Sequence, residues 1–410
     1  MHWLKLTLKS MLSRKGAVGL LTVSIALSAV LLIGIQKIKL SAKDSFSQSI
    51  SGTDLIVGAR SGDAQLLMYT VFRQGQAVAN VSWRTIQDLA ELSSVKWLVP
   101  ISLGDSHKGY PVLGTTDDYF NYYQYGKKKA LELKTGDVFQ TPFDVVLGAD
   151  VAKTLHYHIG DTLRLSHGLS KQPLMLHKNQ VFRVVGILKS TGTPVDKTLH
   201  ISLAGMQALH IKWPEGIYSS SLDDIDLTPR SVTSALIGLA SKQSIFHVQR
   251  QINNWPDEPL MAIMPSLSLR RLWQSIRPVD TAFLIISVMV LLIAFIGLLL
   301  SLFMSLQQRK RELAILRMMG ASPVELAGML VLESLIITIS GVVLSFVIMM
   351  VVGIFLTPVL ESQFGLVLSL TRVVAAEWYL ALGIILFGVI ISFIPAVLVY
   401  KREWSEGIAI

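Results

Sequence analysis

RKRELAILRMMGASPVEL, residues 309–326, lies between two of the most apolar runs in the chain, and its reading decides which side of a membrane the other segments occupy. Four basic residues, Arg309, Lys310, Arg311 and Arg317, surround Glu312 and an apolar stripe of Leu313, Leu316 and Met319. Nothing from 309 to 319 breaks a helix. Spacings of three put the stripe on one side, while Lys310 and Arg317, seven apart, share another. Gly320 accepts the left-handed conformation that ends such a helix. Ser322, Pro323 and Glu325 then supply a hydroxyl N-cap, a proline at the first helical position and an acid at the third, a capping box that opens the next helix. Spacing alone leaves two readings of this elbow: a solvated or lipid-lying turn that only links two spans, or a docking surface.

Working outward, the composition fixes the class. Hydrophobic residues make up 51% of the chain and charged ones 16%, with a mean hydropathy of +0.52. That is too apolar for an ordinary soluble protein of this length and identifies a membrane protein. Crossing the hydrocarbon takes about 20 apolar residues at about 1.5 Å each. The charge-free runs 16–35, 281–306, 334–360 and 378–400 qualify, giving four transmembrane helices at 16–38, 280–306, 326–360 and 378–400. The second and third are longer than needed, so they tilt or project. Lys5, Lys9, Arg14 and Lys15 before the first run imitate a signal peptide. Its apolar run is too long for one, and QKIKL at 36–40 offers no small-residue cleavage site.

Orientation follows from the short loops. Basic residues gather in the amphipathic segment 1–15, in the loop 307–325 and, as Lys401 and Arg402, in the tail 401–410, whereas the loop 361–377 has only Arg372. The positive-inside rule therefore puts both termini and the 307–325 loop in the cytoplasm. Arg270, Arg271 and Arg277 fall on the other side, but they end the long segment 39–279, and long segments translocate largely regardless of charge. The net charge of +9 needs no nucleic acid, because much of the basic excess flanks spans and faces the lipid bilayer. With zero cysteines, disulfides and thiolate metal sites are excluded.

Segment 39–279 is expected to be a large extracytoplasmic domain. DLIVG (54–58), WLVPI (97–101), GYPVLG (109–114), DVVLG (144–148), DTLRL (161–165) and VFRVVGIL (181–188) read as strands, and 83–92 as a helix capped by Ser82, so the domain is mixed α+β. The denser β region, about 110–200, is read as a subdomain inserted into one formed by 50–108 and 200–265. Residues 37–49 continue the first span, and Leu269, Leu272, Trp273 and Ile276 lead helically into the second, so the two extensions are expected to form a stalk.

Other chemistry finds little support. His156 and His158 share a face if extended, with Asp161 near, but the stretch also reads as a helix end before a turn at Gly160, and no third metal ligand follows at a recognised spacing. No GxSxG, HExxH or GxxxxGK[ST] pattern occurs. No catalytic or metal-binding residue is therefore expected. The aromatic run 119–125 reads as a packed element or as a surface for an apolar substrate or an adaptor. Glu333 is an acid near the start of the third span. A carboxylate in hydrocarbon is costly, so it either pairs with Arg317 or interfacial water or serves a proton pathway. Ser24 with Ser28 and Gly341 with Ser345 have the small-residue spacing that lets helices approach closely.

LQQRKRELAILRMMGASPVELAGMLVLE, 306–333, resembles the signature of permease subunits of the MacB/FtsX/LolC type (type VII) of ABC transporter. SISGTDLIVGARSG (49–62), YPVLGTTDDYF (110–120), VVLGADVAKTLHYHIGDTLRL (145–165) and FRVVGILKSTGTPVD (182–196) are similar to that family's MacB-like exported domain, and IPAVLVYKREWSEGI (394–408) to its C-terminal end. The resemblance covers most of the chain in the right order. It implies a permease working as a homodimer or heterodimer with ATP-binding subunits that dock on a coupling helix, here about 309–321. MacB itself carries a fused ATPase, whereas here only about 15 residues precede the first span, so ATP and Mg are expected on a separate partner. The implied cargo is hydrophobic or amphipathic: a lipid, lipoprotein, peptide or haem-like molecule. A periplasmic adaptor, lipoprotein or outer-membrane partner fits the same architecture. So do an FtsX-like regulator of an extracytoplasmic enzyme and, more remotely, a four-span sensor without an ATPase.

Overall fold

The computed structural model describes residues 2–167, 180–211, 225–308, 315, 318–364 and 375–406. Two compact units emerge: Met1–Ser41, Ile276–Leu360 and Leu368–Ile410 form one, and Ala42–Ser275 with Glu361–Val367 form the other. The chain opens with helix α1 (His2–Ser13) and, after Arg14, the long α2 (Lys15–Gln48).

Among the described residues, the second unit is built on an 11-stranded sheet. Along its main path the strands run Leu260–Ile263, Leu55–Ala59, Ser234–Leu239, Val95–His107, Tyr110–Thr115, Leu199–Ser202, Asp144–Leu147, Phe182–Leu188 and Leu133–Gly136. The two halves of this path are joined by a hairpin whose loop is Lys108 and Gly109, both with positive φ (49° and 86°). Two such residues form the turn whose twist matches paired strands. Residues 110–202 thus supply one end of a single sheet and residues 55–107 and 234–263 the other.

Alternation along the strands fills both faces. Ile56, Val99, Leu113, Val146 and Leu236 point into one core, together with α3 (Asp63–Phe72) and other residues. Leu55, Val57, Ala235 and Ile237 point the other way, onto α4 (Trp83–Ala90). The period of two is that of a strand. The Ser82 hydroxyl caps α4 by accepting from the Thr85 N–H at 3.3 Å. The first core is continuous along the sheet and also takes Tyr119 and Phe120 of α5 (Asp118–Tyr122). The opposite face carries two cores. Val145, Leu147, Leu199 and Ile201 pack with Val151 of α6 (Ala149–Leu155) and Met206 of α7 (Leu203–His210), whereas Val248 and Ile252 of α8 (Ile245–Asn253) belong to the core beside α4. The end of α2 and the start of α9 (Pro265–Gln308) meet beside α3: Phe46 lies 4.4 Å from Phe72 and edge-on to Trp273 at 5.7 Å, ring centre to ring centre.

The first unit is helical. Among the described residues, four helices are long and apolar enough to cross a membrane, over Lys15–Asp44, Pro265–Gln308, Val324–Thr357 and Ala375–Val397. They belong to α2, α9, α10 (Pro323–Phe364) and α11 (Ala375–Glu406). At 44 residues, α9 is about twice the length a bilayer needs. Ile25, Ala29 and Ile33 of α2, Phe295 and Leu298 of α9, Ile337 and Val342 of α10, and Ala381 and Ile384 of α11 pack in one core. Small residues set the spacing. A Cβ on Gly341 would meet Ile25 Cγ2 at 2.8 Å and the Thr22 carbonyl oxygen at 3.2 Å, so α10 approaches α2 where glycine leaves room. Ser28 donates back to the Ser24 carbonyl at 2.8 Å and faces the Val290 carbonyl of α9 at 3.5 Å. Ser334 donates to the Gly388 carbonyl at 2.9 Å, tying α10 to α11.

Candidate functional site

The elbow between α9 and α10 is described in part. Arg309, Lys310, Arg311, Glu312, Leu313, Leu316 and Arg317 lie outside the described residues. Beyond them the Met319 N–H donates to the Ile315 carbonyl at 3.1 Å, one turn of helix, and Gly320 takes φ +97°. Ser322 and Glu325 bond reciprocally. The Ser322 N–H donates to Glu325 Oε2 at 2.7 Å, and the Glu325 N–H donates to Ser322 Oγ at 3.3 Å. That box satisfies two amides at the start of α10, whose first helical residue is Pro323. The side chains of Ile315, Met318 and Met319 are 52%, 81% and 71% exposed, at helical spacings of three and four. The turn therefore presents an uncovered apolar ridge. Sequence reasoning named Met319 and passed over Ile315 and Met318, although their spacing carries the same signal.

Glu333 is 2% exposed and accepts from Arg14 Nη2 at 2.8 Å. Arg14 sits between α1 and α2, 319 residues away in sequence, and was not among the partners expected for this acid. A second buried pair lies at the other end of α2, where Lys37 Nζ is 3.1 Å from Glu377 Oε1 and the side chains are 4% and 3% exposed. Close by in sequence, Lys39 Nζ reaches Asp280 Oδ2 at 2.7 Å, with side chains 36% and 21% exposed. Each pair links the first membrane helix, or the residue just before it, to a different partner: Glu333 is on α10, Glu377 on α11 and Asp280 on α9. Buried ion pairs need good geometry to offset desolvation, and removing one member strands the other. Such an arrangement holds a bundle in one register and resists sliding of α2.

The sheet unit places two other candidates. Tyr119, Phe120 and Tyr123 are buried, and the Tyr123 hydroxyl donates to the Ser49 carbonyl. Burial raises the pKa of Tyr119 and Tyr123 above the usual phenol value, so both stay neutral. Tyr122 stacks on Trp97 at 5.2 Å. The aromatic run is a packed element. His156 caps the end of α6 with φ +57°, and the His158 N–H donates to Asp161 Oδ2 at 2.7 Å in a tight turn. Among the described residues no cluster of potential metal ligands forms. A cleft of about 860 Å³ opens beside α7, where Leu203, Met206 and Gln207 face Ser102 and Arg230. His210 on its wall has Nε2 3.5 Å from the buried Asp105 carboxylate.

Two family models match the chain. The MacB-like periplasmic core domain covers residues 18–254, and the FtsX-like permease C-terminal model covers 284–403. Among solved structures, the chain is similar to the periplasmic region of MacB from Actinobacillus actinomycetemcomitans, at 14% identity over 56% of this chain and 94% of that one, with a TM-score of 0.34. It is also similar to the extracellular domain of the noncanonic ABC-type transporter YknZ from Gram-positive bacteria, at 12% identity over 51% and 98% of the two chains, with a TM-score of 0.32. A comparison with curated protein sequences gives no match. In sequence, one membrane helix precedes the extracytoplasmic α+β domain and three follow it, in the order of the two matched models, the first of which spans more than half of the chain, and the chain belongs to the MacB/FtsX-like permease family of type VII ABC transporters.

Proposed function

We propose that this permease takes its energy from a separate ATP-binding subunit docking on the elbow at 309–321, and that it works beside a second permease copy to move or extract a hydrophobic or amphipathic cargo on the outer side of a cell inner membrane. Both termini and the elbow then face the cytoplasm, and the sheet unit faces outward. The observation that carries the proposal is the exposed ridge of Ile315, Met318 and Met319, set among basic residues between the second and third membrane helices. An exposed apolar ridge in a segment whose sequence is rich in charge has the composition of a protein contact. ATP and Mg belong to the partner in this reading, because the chain has no GxxxxGK[ST] segment. The cleft beside α7, lined by apolar and polar side chains together, has room for a cargo segment and favours a cargo-handling domain over one that only regulates an extracytoplasmic enzyme.

The test is a reconstituted complex with the ATP-binding subunit. Arg317→Glu or Leu316→Asp should reduce permease-stimulated ATP hydrolysis at least tenfold while membrane insertion is unchanged. Parental hydrolysis by both variants places the docking surface elsewhere.

A further inference from the structure

Helix α1 keeps an apolar stripe that no described residue of the chain covers. Its 12 residues span about 18 Å, short of the roughly 30 Å of hydrocarbon, so it does not cross. One stripe is taken by the bundle: Thr7 and Met11, four apart, are 1% and 7% exposed, and Met11 packs in the same core as Ile25 and Ile33. Arg14, three residues on, holds Glu333. The neighbouring stripe is Leu8 and Leu12, again four apart, and these are 41% and 68% exposed. Lys9 and Lys15 stand exposed beside them. With Met11 buried and Arg14 paired, the helix cannot roll to hide its leucines.

We infer that this stripe is a binding surface for anionic phospholipid, with Leu8 and Leu12 entering the acyl boundary and Lys9 and Lys15 meeting headgroup phosphates. Apolar side chains beside lysines on a short helix match the depth profile of a bilayer interface, where hydrocarbon gives way to negative charge within several ångströms. The Lys ammonium groups are the complement to phosphate, and a neutral lipid lacks the net charge that would select for them. Lys5 continues the basic series in the sequence. The lipid-held α1 would fix the N-terminal end of α2, the helix on which the ion pairs of the bundle converge. No ATP-binding partner is needed for this inference, so it stands or falls apart from the proposed coupling.

The chain has no cysteine, so a single introduced thiol reports on its own position. Leu12→Cys and Ser13→Cys, both at exposed sites, are labelled in the full chain with an environment-sensitive fluorophore and placed in nanodiscs of phosphatidylcholine, with or without phosphatidylglycerol. We expect the label at 12 to be quenched by brominated acyl chains and shielded severalfold from aqueous acrylamide relative to the label at 13. Phosphatidylglycerol should deepen that difference, and Lys9→Glu with Lys15→Glu should abolish the deepening. Equal acrylamide quenching at 12 and 13 in both lipids overturns the inference. Shielding that is indifferent to phosphatidylglycerol overturns its anionic part.

Discussion

Asp196 and Glu333 are both buried carboxylates, each 2% exposed, and they are satisfied in opposite ways. Asp196, in the single 3-10 turn Pro194–Lys197 of the sheet unit, accepts from the loop just before it: the Thr191 N–H at 2.8 Å, the Gly192 N–H at 2.7 Å and the hydroxyls of Ser190 and Thr191. Asp144 in the same unit likewise takes the N–H groups of Gln140 and Thr141. Glu333 lies well inside α10, where backbone amides are committed to carbonyls four residues back, and it takes the guanidinium of Arg14. A loop has free N–H groups to solvate an anion; a membrane helix has none, so a side chain from elsewhere in the chain must supply the charge. Exposure is inverted to match. The membrane unit leaves Leu20 75%, Phe355 74% and Tyr379 76% exposed, while its charges at Lys37, Glu333 and Glu377 are enclosed. Polar burial in the sheet unit shapes loops, whereas in the membrane unit it joins helices.

The sharpest way to break that contrast is to strand one charge in the bundle. Lys37→Met leaves Glu377 buried without its ammonium and should destabilise the chain by about 3–5 kcal/mol. Lys37→Met with Glu377→Met replaces both groups by apolar ones of similar length and should recover most of the loss. The measurement is denaturation of the full chain in detergent, compared across the four members of the cycle. If the single variants unfold with the parent, the pair is not a tie between helices.

What the sequence revealed and what it hid divide along the same physical line. The spans were legible because hydrocarbon forces long uncharged runs, and the Ser82 cap because a hydroxyl three residues before an amide is a local relation. The mixed α+β class was legible because strand alternation is local too. Partner choice is not local. Glu333 announced the need for a cation, and the nearest one in sequence, Arg317, was the natural expectation; Arg14 becomes a neighbour only after three helices pack. Lys37 and Glu377 were passed over because both lie just beyond the apolar cores 16–35 and 378–400, where charges read as flanks. The run 119–125 had the composition of either a binding surface or a core, and only the sheet above it decides.

A smaller effect sharpens the sheet unit's side of the comparison. His200 is fully buried, and desolvation, helped by repulsion from Arg73, lowers its pKa to about 3. Its Nδ1 lies 3.3 Å from the Val146 carbonyl, which the neutral ring can meet as an N–H donor. The folded pKa is below the unfolded value near 6.5, so the unfolded chain binds the extra proton between those limits. This contribution is complete above about pH 6.5 and is lost as pH falls toward 3, with a limiting slope of about 1.4 kcal/mol per pH unit. His200→Leu should flatten the acid limb of stability measured by calorimetry on the full chain. An unchanged limb would mean that His200 takes its proton without cost.

The smallest effect tests whether enclosure, and not ion pairing itself, makes the bundle's contacts strong. Lys39 and Asp280 approach to 2.7 Å, closer than Lys37 and Glu377, yet their side chains are 36% and 21% exposed. Solvent screens such a pair, and ordering a long lysine side chain opposes what attraction remains, so the net worth is about 0–1 kcal/mol. Lys39→Met should therefore shift unfolding far less than Lys37→Met, although the two lysines are only two residues apart on α2 and the broken contact is the shorter one. Added salt should erase the Lys39 effect and leave that of Lys37 almost intact. Equal losses from the two variants would show that position along α2, and not burial, sets the energy, and the contrast between Asp196 and Glu333 would then lose its physical basis.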